Sequence, residues 1–182
     1  MFRELKRKNK QISDAECVEV LTRETRGVLS VIGDEGYPYG MPMNHFYDPA
    51  DGKIWFHCGK ASSHRTDALR RDPRVSFCVT EQGSRAEGDW AYTVRSVIVF
   101  GKIEIVDDAE KIADIAARLS RKFTQDEAYI AEEIRKFAAG TLLLALSPEH
   151  ICGKRIVESG QNPRRGIGDP TERQIGIWQR SV

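Results

Sequence analysis

Apolar positions change their period several times along this chain, and each change marks an element. Cys17, Val20 and Leu21 recur at the spacing of one helix face. Just before them, Ser13 and Glu16 stand as a capping box, the Ser13 hydroxyl accepting from the Glu16 amide while the Glu16 carboxylate reaches back, with Ile12 and Cys17 at the staple positions. A helix is predicted from about Asp14 to Glu24. Val28-Leu29-Ser30-Val31-Ile32, β-branched and bounded by Gly27 and Gly33, predicts a strand, and Asp34-Glu35-Gly36 a hairpin turn. A second strand is expected over Tyr39 to Tyr47, a turn over Asp48 to Gly52, and a third strand over Lys53 to Cys58.

A short helix, about Ser63 to Arg71, is then stopped by Asp72-Pro73. Arg74 to Thr80 sets Val75, Phe77 and Val79 against Arg74, Ser76, Cys78 and Thr80, the alternation of a half-buried strand. Trp90 to Val106 is β-rich and long enough that it must bend, with Gly101 the candidate position. Asp107-Asp108 opens a helix with the apolar stripe Ile112, Ile115, Leu119 and Phe123; a second helix carries Ile130, Ile134 and Phe137 and ends at Gly140, read as a C-cap glycine. Thr141 to Leu146 and Ile151 to Val157 are expected as two further strands. Short turns between successive strands make the sheet largely antiparallel, so the fold class is α+β: a small barrel over residues 1–157 with helices packed outside. Residues 158–182 read as an irregular C-terminal tail that regains apolar character at Ile175, Ile177 and Trp178.

Composition narrows the function classes. The chain has 182 residues, 40% hydrophobic and 30% charged, and its 28 basic and 27 acidic residues leave a net charge of +1. That balance exerts no general pull toward nucleic acid or membranes, so any anion site must come from local geometry. The longest apolar run, Leu142 to Leu146, is too short to span a bilayer. The basic start has no apolar segment behind it, which argues against a secretory signal and for a cytoplasmic protein. Cys17, Cys58, Cys78 and Cys152 lack C-x-x-C spacing and read as small buried apolar residues; His45, His57, His64 and His150 lack zinc-site spacing.

Three stretches could carry chemistry. In the first, Trp55 to Arg65, a strand ends, a small-residue loop turns, and a helix begins. Its first-turn amides lack internal partners; with Ser62 and Ser63 hydroxyls and the charge of Arg65 and Lys60 they suit a phosphate monoester. The same residues also fit a serine cap beside a solvated arginine. In the second, Gly36 to Phe46, Pro42 marks an edge or bulged strand whose free backbone could bond a planar heterocycle, or simply an edge protected against aggregation. In the third, Arg95 and Ser96 interrupt an apolar strand and need partners if buried, which a ligand or solvent could supply.

Taken in order, the motifs G-x-P-Y-x-x-P-x-N, I-W-F-H, S-H-R-x-x-A-L-R-x-x-P-R-V-S-F and R-S-V-I-V-F-G-K resemble the pyridoxamine 5′-phosphate oxidase-related superfamily, and within it the nitroimidazole-resistance group of flavoproteins. The resemblance runs from about Arg26 to Gly153. It implies an FMN-binding split barrel that works as a homodimer with the flavin at the interface. Met41, Pro42, Met43 and Asn44 would then lie along the isoalloxazine ring. Ser62, Ser63, His64 and Arg65, with Lys60, would hold the phosphate; His64 stands where relatives more often carry a cation. Arg95, Ser96 and Val97 would reach the cofactor from their strand, and Trp178 from the C-terminus. His57 matches a histidine near the flavin and would orient substrate or act as a general acid, or else be a satisfied structural histidine. The implied activity is an oxidoreductase passing electrons from a nicotinamide donor to a small nitroaromatic-like acceptor. A deazaflavin or haem on the same barrel, or a flavin-binding sensor without turnover, are the alternatives. The chain shows no further basic set for a vitamin phosphate and no Rossmann fingerprint.

Overall fold

The computed structural model describes residues 2–85, 87 and 91–157. Its chain order is α1 (Asp14–Arg23), β1 (Arg26–Ile32), β2 (Pro38–Asn44), β3 (Phe46–Tyr47), β4 (Ile54–Gly59), α2 (His64–Arg71), β5 (Arg74–Thr80), β6 (Thr93–Val106), α3 (Ala109–Ser120), α4 (Glu127–Phe137) and β7 (Thr141–Val157). All strands pair antiparallel in one sheet of order β2-β1-β5-β6-β7-β4-β3. The sheet curls into a split barrel, the α+β architecture expected from the sequence. Its two edges are consecutive in the chain, since only His45 separates β2 from β3.

Alternation builds the interior. Leu29 pairs with Met41 and Phe77, and Phe77 with Val99; all four are buried, together with Phe56, Leu144 and Leu146 from the other limb of the sheet. Leu29, Phe56 and Phe77 are wholly enclosed, each contributing about 1.5–3 kcal/mol relative to exposure. The Ser13–Glu16 capping box forms as its spacing predicts. A second, smaller cluster lies outside the barrel, where Ile112 and Ile115 of α3 cover Trp55, Leu143 and Ala145.

The elements depart from the sequence reading in four places. Tyr39 to Tyr47 is two strands rather than one, broken at His45, whose ring is wholly buried and whose Nε2 donates to the Leu21 carbonyl (2.8 Å). Thr141 to Val157 is one strand of 17 residues, because β6 pairs along its whole length and absorbs Pro148 at a register shift between Phe100 and Gly101. Phe123 and Phe137 stand 50% and 60% exposed, so the helical stripes end one turn earlier than their spacing suggests. Gly140 is not a left-handed cap: α4 ends at Phe137 and runs into a 3-10 turn over Ala138–Gly140. Cys17 and Cys58 are buried, whereas Cys78 and Cys152 are only half-buried. Among the described residues no helix is long and apolar enough to cross a membrane. The tail 158–182 lies outside the described residues.

Candidate functional site

Strand β4 delivers the loop Lys60–Ser62 to the start of α2, and the first turn of that helix is firmly set. Ser63 is the N-cap: its hydroxyl accepts from the Thr66 amide, while its own amide donates to Thr66 Oγ1 (3.0 Å). Thr66 is fully buried, so the capping box is anchored from below. Helix α2 packs against β1, and Arg65 in its first turn reaches Met43 of β2 on one side and Cys58 of β4 on the other.

Around this turn most polar groups already have partners. Ser62 Oγ donates to the Asp67 carboxylate (2.9 and 3.0 Å). Lys60 Nζ lies 2.6 Å from Asp107. The His64 ring lies flat on Tyr39, centroids 4.3 Å apart at 12°, and its Nε2 accepts from the Asp34 amide (3.3 Å). Asp34 also pairs with Arg71 (2.9 Å), tying the β1–β2 turn down onto α2.

Arg65 is the exception. Its guanidinium touches only the soft sulfurs of Met43 (Nη1 at 4.0 Å) and Cys58, its Nε is buried with no partner, and among the described residues it forms no ion pair. A half-buried guanidinium with unspent donors at the mouth of the split can take an anion, and the neighbouring helix dipole favours the same charge. Its field reaches both side chains of the β4 end. The Cys58 thiol is pushed up by burial and partly restored by Arg65. The His57 ring is held below the ordinary histidine value, first by burial and then by Arg65. Held below 6.5, the imidazole is neutral at pH 7, and its exposed edge is open to a visiting molecule.

The other residues named from the sequence fall in three groups. On β2, Met41 and Met43 turn inward to the core, leaving exposed Pro42 and half-buried Asn44 on the outer face; Asn44 Oδ1 accepts from Arg26 (3.0 Å). β2 is an edge strand, so one row of its backbone groups faces no neighbouring strand. Arg95, Ser96 and Val97 are not brought to the α2 turn: Val97 is core, Ser96 is buried, and Arg95 is held by Glu19 (2.8 Å) and Glu81 (3.1 Å) beside α1. Arg95, Glu19, Glu81 and Arg23 form an ion network, of which Arg95, Glu81 and Arg23 border a cleft of about 520 Å³. Trp178 lies outside the described residues. The sequence reading did not single out Asp67, Asp34 or Asp107 as partners of the seat. Asp67 had a local signal in its five-residue separation from Ser62 across a helix start; Asp107 had none, being brought in by the sheet. Among the described residues no cluster of His, Cys, Asp or Glu could hold a metal ion.

The family model described as pyridoxamine 5′-phosphate oxidase matches residues 13–155. No curated protein matches the sequence. Among solved structures, similarity extends to a candidate 5-nitroimidazole antibiotic resistance protein from Bacteroides thetaiotaomicron, with 20% identity, 81% of this chain and 87% of that chain covered, and a TM-score of 0.65. A conserved hypothetical protein from Mycobacterium tuberculosis matches at 24% identity, 92% and 99% coverage and a TM-score of 0.68. A FAD and heme binding protein from Mycobacterium smegmatis matches at 24% identity, 80% and 72% coverage and a TM-score of 0.62. At these identities the likeness to solved structures is one of fold.

Proposed function

The chain belongs to the pyridoxamine 5′-phosphate oxidase family, and from that premise we propose that it is a flavoprotein holding FMN at the mouth of its split barrel. The observation that carries this is Arg65, whose buried Nε has no partner in a fold where the neighbouring cations are neutralised. A terminal phosphate fits that donor set: the guanidinium gives charge-assisted bonds and the capped first turn of α2 adds its dipole. Pro42, Asn44 and the free edge of β2 would lie along the ring. Bound FMN would supply the electron transfer, the protein contributing binding, orientation and electrostatics. His57, neutral and accessible beside Arg65, would hydrogen-bond a small acceptor and hold a proton at its ring nitrogen.

We further propose a nicotinamide donor, a nitroaromatic-like acceptor and a homodimer that completes the flavin site. The dimer reading is supported by the outer sheet face. Pro42, Val28, Cys78, Ile98 and Cys152 are paired directly across five strands and form one apolar row, with Val28 41% exposed. A soluble chain gains by covering such a face.

Denaturing the purified protein and identifying the released ligand by mass tests the cofactor. FMN is expected; FAD, deazaflavin or haem would overturn its identity, and an apo-protein that fails to bind added FMN would overturn the seat. Arg65→Met is expected to weaken FMN binding about 10–100-fold, the worth of a charge-assisted phosphate contact. With donor and nitroaromatic present, flavin reoxidation should slow in His57→Ala while flavin affinity holds. An equally negligible rate in both proteins would mark a flavin-binding module without turnover.

A further inference from the structure

Charge is unevenly placed in this chain. Residues 2–11 carry Arg3, Lys6, Arg7, Lys8 and Lys10 against Glu4 alone, so a protein of net charge +1 gathers +4 in this arm and leaves −3 over the remainder. The arm is pinned to the sheet at both ends. Phe2 stacks on His150 (5.0 Å, 5°) and on Phe100 (5.4 Å). At the other end Gln11 bridges Lys154, and the Ile12 amide donates to the Gly153 carbonyl (3.1 Å). Between the pins the arm stands off the C-terminal half of β7, leaving a cleft of about 340 Å³ lined by Leu5, Lys6, Arg7, Lys10, Lys154 and Ile156.

Four cations from two separate segments converge on this concavity, and no carboxylate lines it. None of the four forms an ion pair among the described residues, although nearby Lys8 pairs with Glu4 (2.9 Å) and Arg155, one residue beyond Lys154, pairs with Glu16. Converging like charges repel one another, and a bound polyanion relieves that repulsion. The two aliphatic residues add an apolar wall beside the charged one.

We propose that this cleft binds a pyrophosphate-bearing small molecule, its diphosphate held by Lys6, Arg7, Lys10 and Lys154 and its organic part laid against Leu5 and Ile156. A diphosphate spreads its charge over two linked groups and can engage both walls at once, which a monoester cannot. The volume falls within the roughly 300–1,000 Å³ of small-molecule sites. A membrane or a duplex would instead meet cations spread over a flat or convex face. The cleft uses no residue of α2, β2 or β4, so the proposal does not rest on the flavin reading. The diphosphate could belong to a nucleoside diphosphate or to a nicotinamide dinucleotide.

Isothermal titration of the full chain with inorganic pyrophosphate tests the site, followed by separate titrations with ADP and with NADH. One saturable site per chain is expected, weakening as salt rises from about 50 to about 200 mM. Binding should be unchanged in Arg65→Met and in the control Lys53→Gln, and should fall about tenfold or more in the double variant Lys10→Gln/Lys154→Gln. Circular dichroism establishes that the double variant is folded; Lys6→Gln/Arg7→Gln, on the arm alone, should give the same loss if it is not. Tighter binding of ADP than of pyrophosphate would place a nucleoside on the apolar wall, and a further gain with NADH alone would identify the dinucleotide. No saturable pyrophosphate binding, binding retained in both double variants, or binding lost in Arg65→Met would overturn the proposal. So would capture of anionic vesicles without pyrophosphate binding, which would make the arm a membrane-surface contact.

Discussion

His45 shows how one buried side chain can set the acid limit of the fold. Its ring is fully enclosed, edge-on to Phe77, with Nε2–H donated to Leu21 and Nδ1 left without a partner. Burial, helped by Lys122, pushes its pKa down to about 4 from 6.5. Below 6.5 the unfolded chain takes up a proton that the folded chain refuses until about pH 4, so stability falls as pH drops through that window. The loss is about 3 kcal/mol at its full extent. Urea midpoints between pH 7 and pH 4 should show this slope, and His45→Gln, which can still donate to Leu21, should flatten it. An unchanged slope in the variant would assign the acid sensitivity elsewhere. His45 stood among four scattered histidines in the sequence, with nothing to set it apart. The phosphate-seat residues were more legible, because Ser62, Ser63 and Arg65 sit within one loop-to-helix junction. Which of them stays free was not, since that depends on Asp107, brought to Lys60 by the sheet, and on Asp34, brought to His64 and Arg71 by the β1–β2 turn.

At the scale of elements, the long β6–β7 pair organises the molecule and Gly101 is its tightest point. The register shifts there, and a Cβ at Gly101 would press into the Ser147 backbone carbonyl and the Leu146 side chain. Backbone cannot swing aside as a flexible side chain does, so Gly101→Ala should cost about 2–4 kcal/mol. Thermal unfolding of the variant checks this; a loss under about 0.5 kcal/mol, the range of neutral surface changes, would mean that the bulge relaxes freely. The sequence marked Gly101 as the place where a long strand must bend, because a glycine inside a β-branched run has few other uses. It did not reveal that Thr141 to Val157 is continuous. Pro148 signals a break, and only the bulge beside it, where Glu149 is left over as β6 steps from Phe100 to Gly101, lets the strand pass through. Local signals also overextended the helical stripes: Phe123 keeps the right period but falls beyond the end of α3 at Ser120, and Phe137, the last residue of α4, stands out in solvent.

For the whole molecule, the question is what covers the outer sheet face. The inner rows fill the barrel, yet the outer row of Pro42, Val28, Cys78, Ile98 and Cys152 is equally continuous and only half-covered. The alternation of Arg74 to Thr80 foretold one buried and one outward face; it could not tell that the outward Cys78 would align with apolar residues from four other strands. A second copy laid on this face would remove the row from water and bring a second molecule to the β2 edge, beside the proposed ring site. Val28→Lys puts a charge at an exposed position of that surface, one strand in from the β2 edge. It should leave the monomer folded, because position 28 points away from the core, while burying an unpaired ammonium costs several kcal/mol, enough to weaken the dimer about 100-fold or more. Sedimentation velocity should show a wild-type dimer and a folded Val28→Lys monomer, with FMN affinity falling alongside association if the flavin site spans two copies. A wild-type monomer that binds one FMN per chain would separate the two claims, leaving the Arg65 seat intact and the shared site refuted.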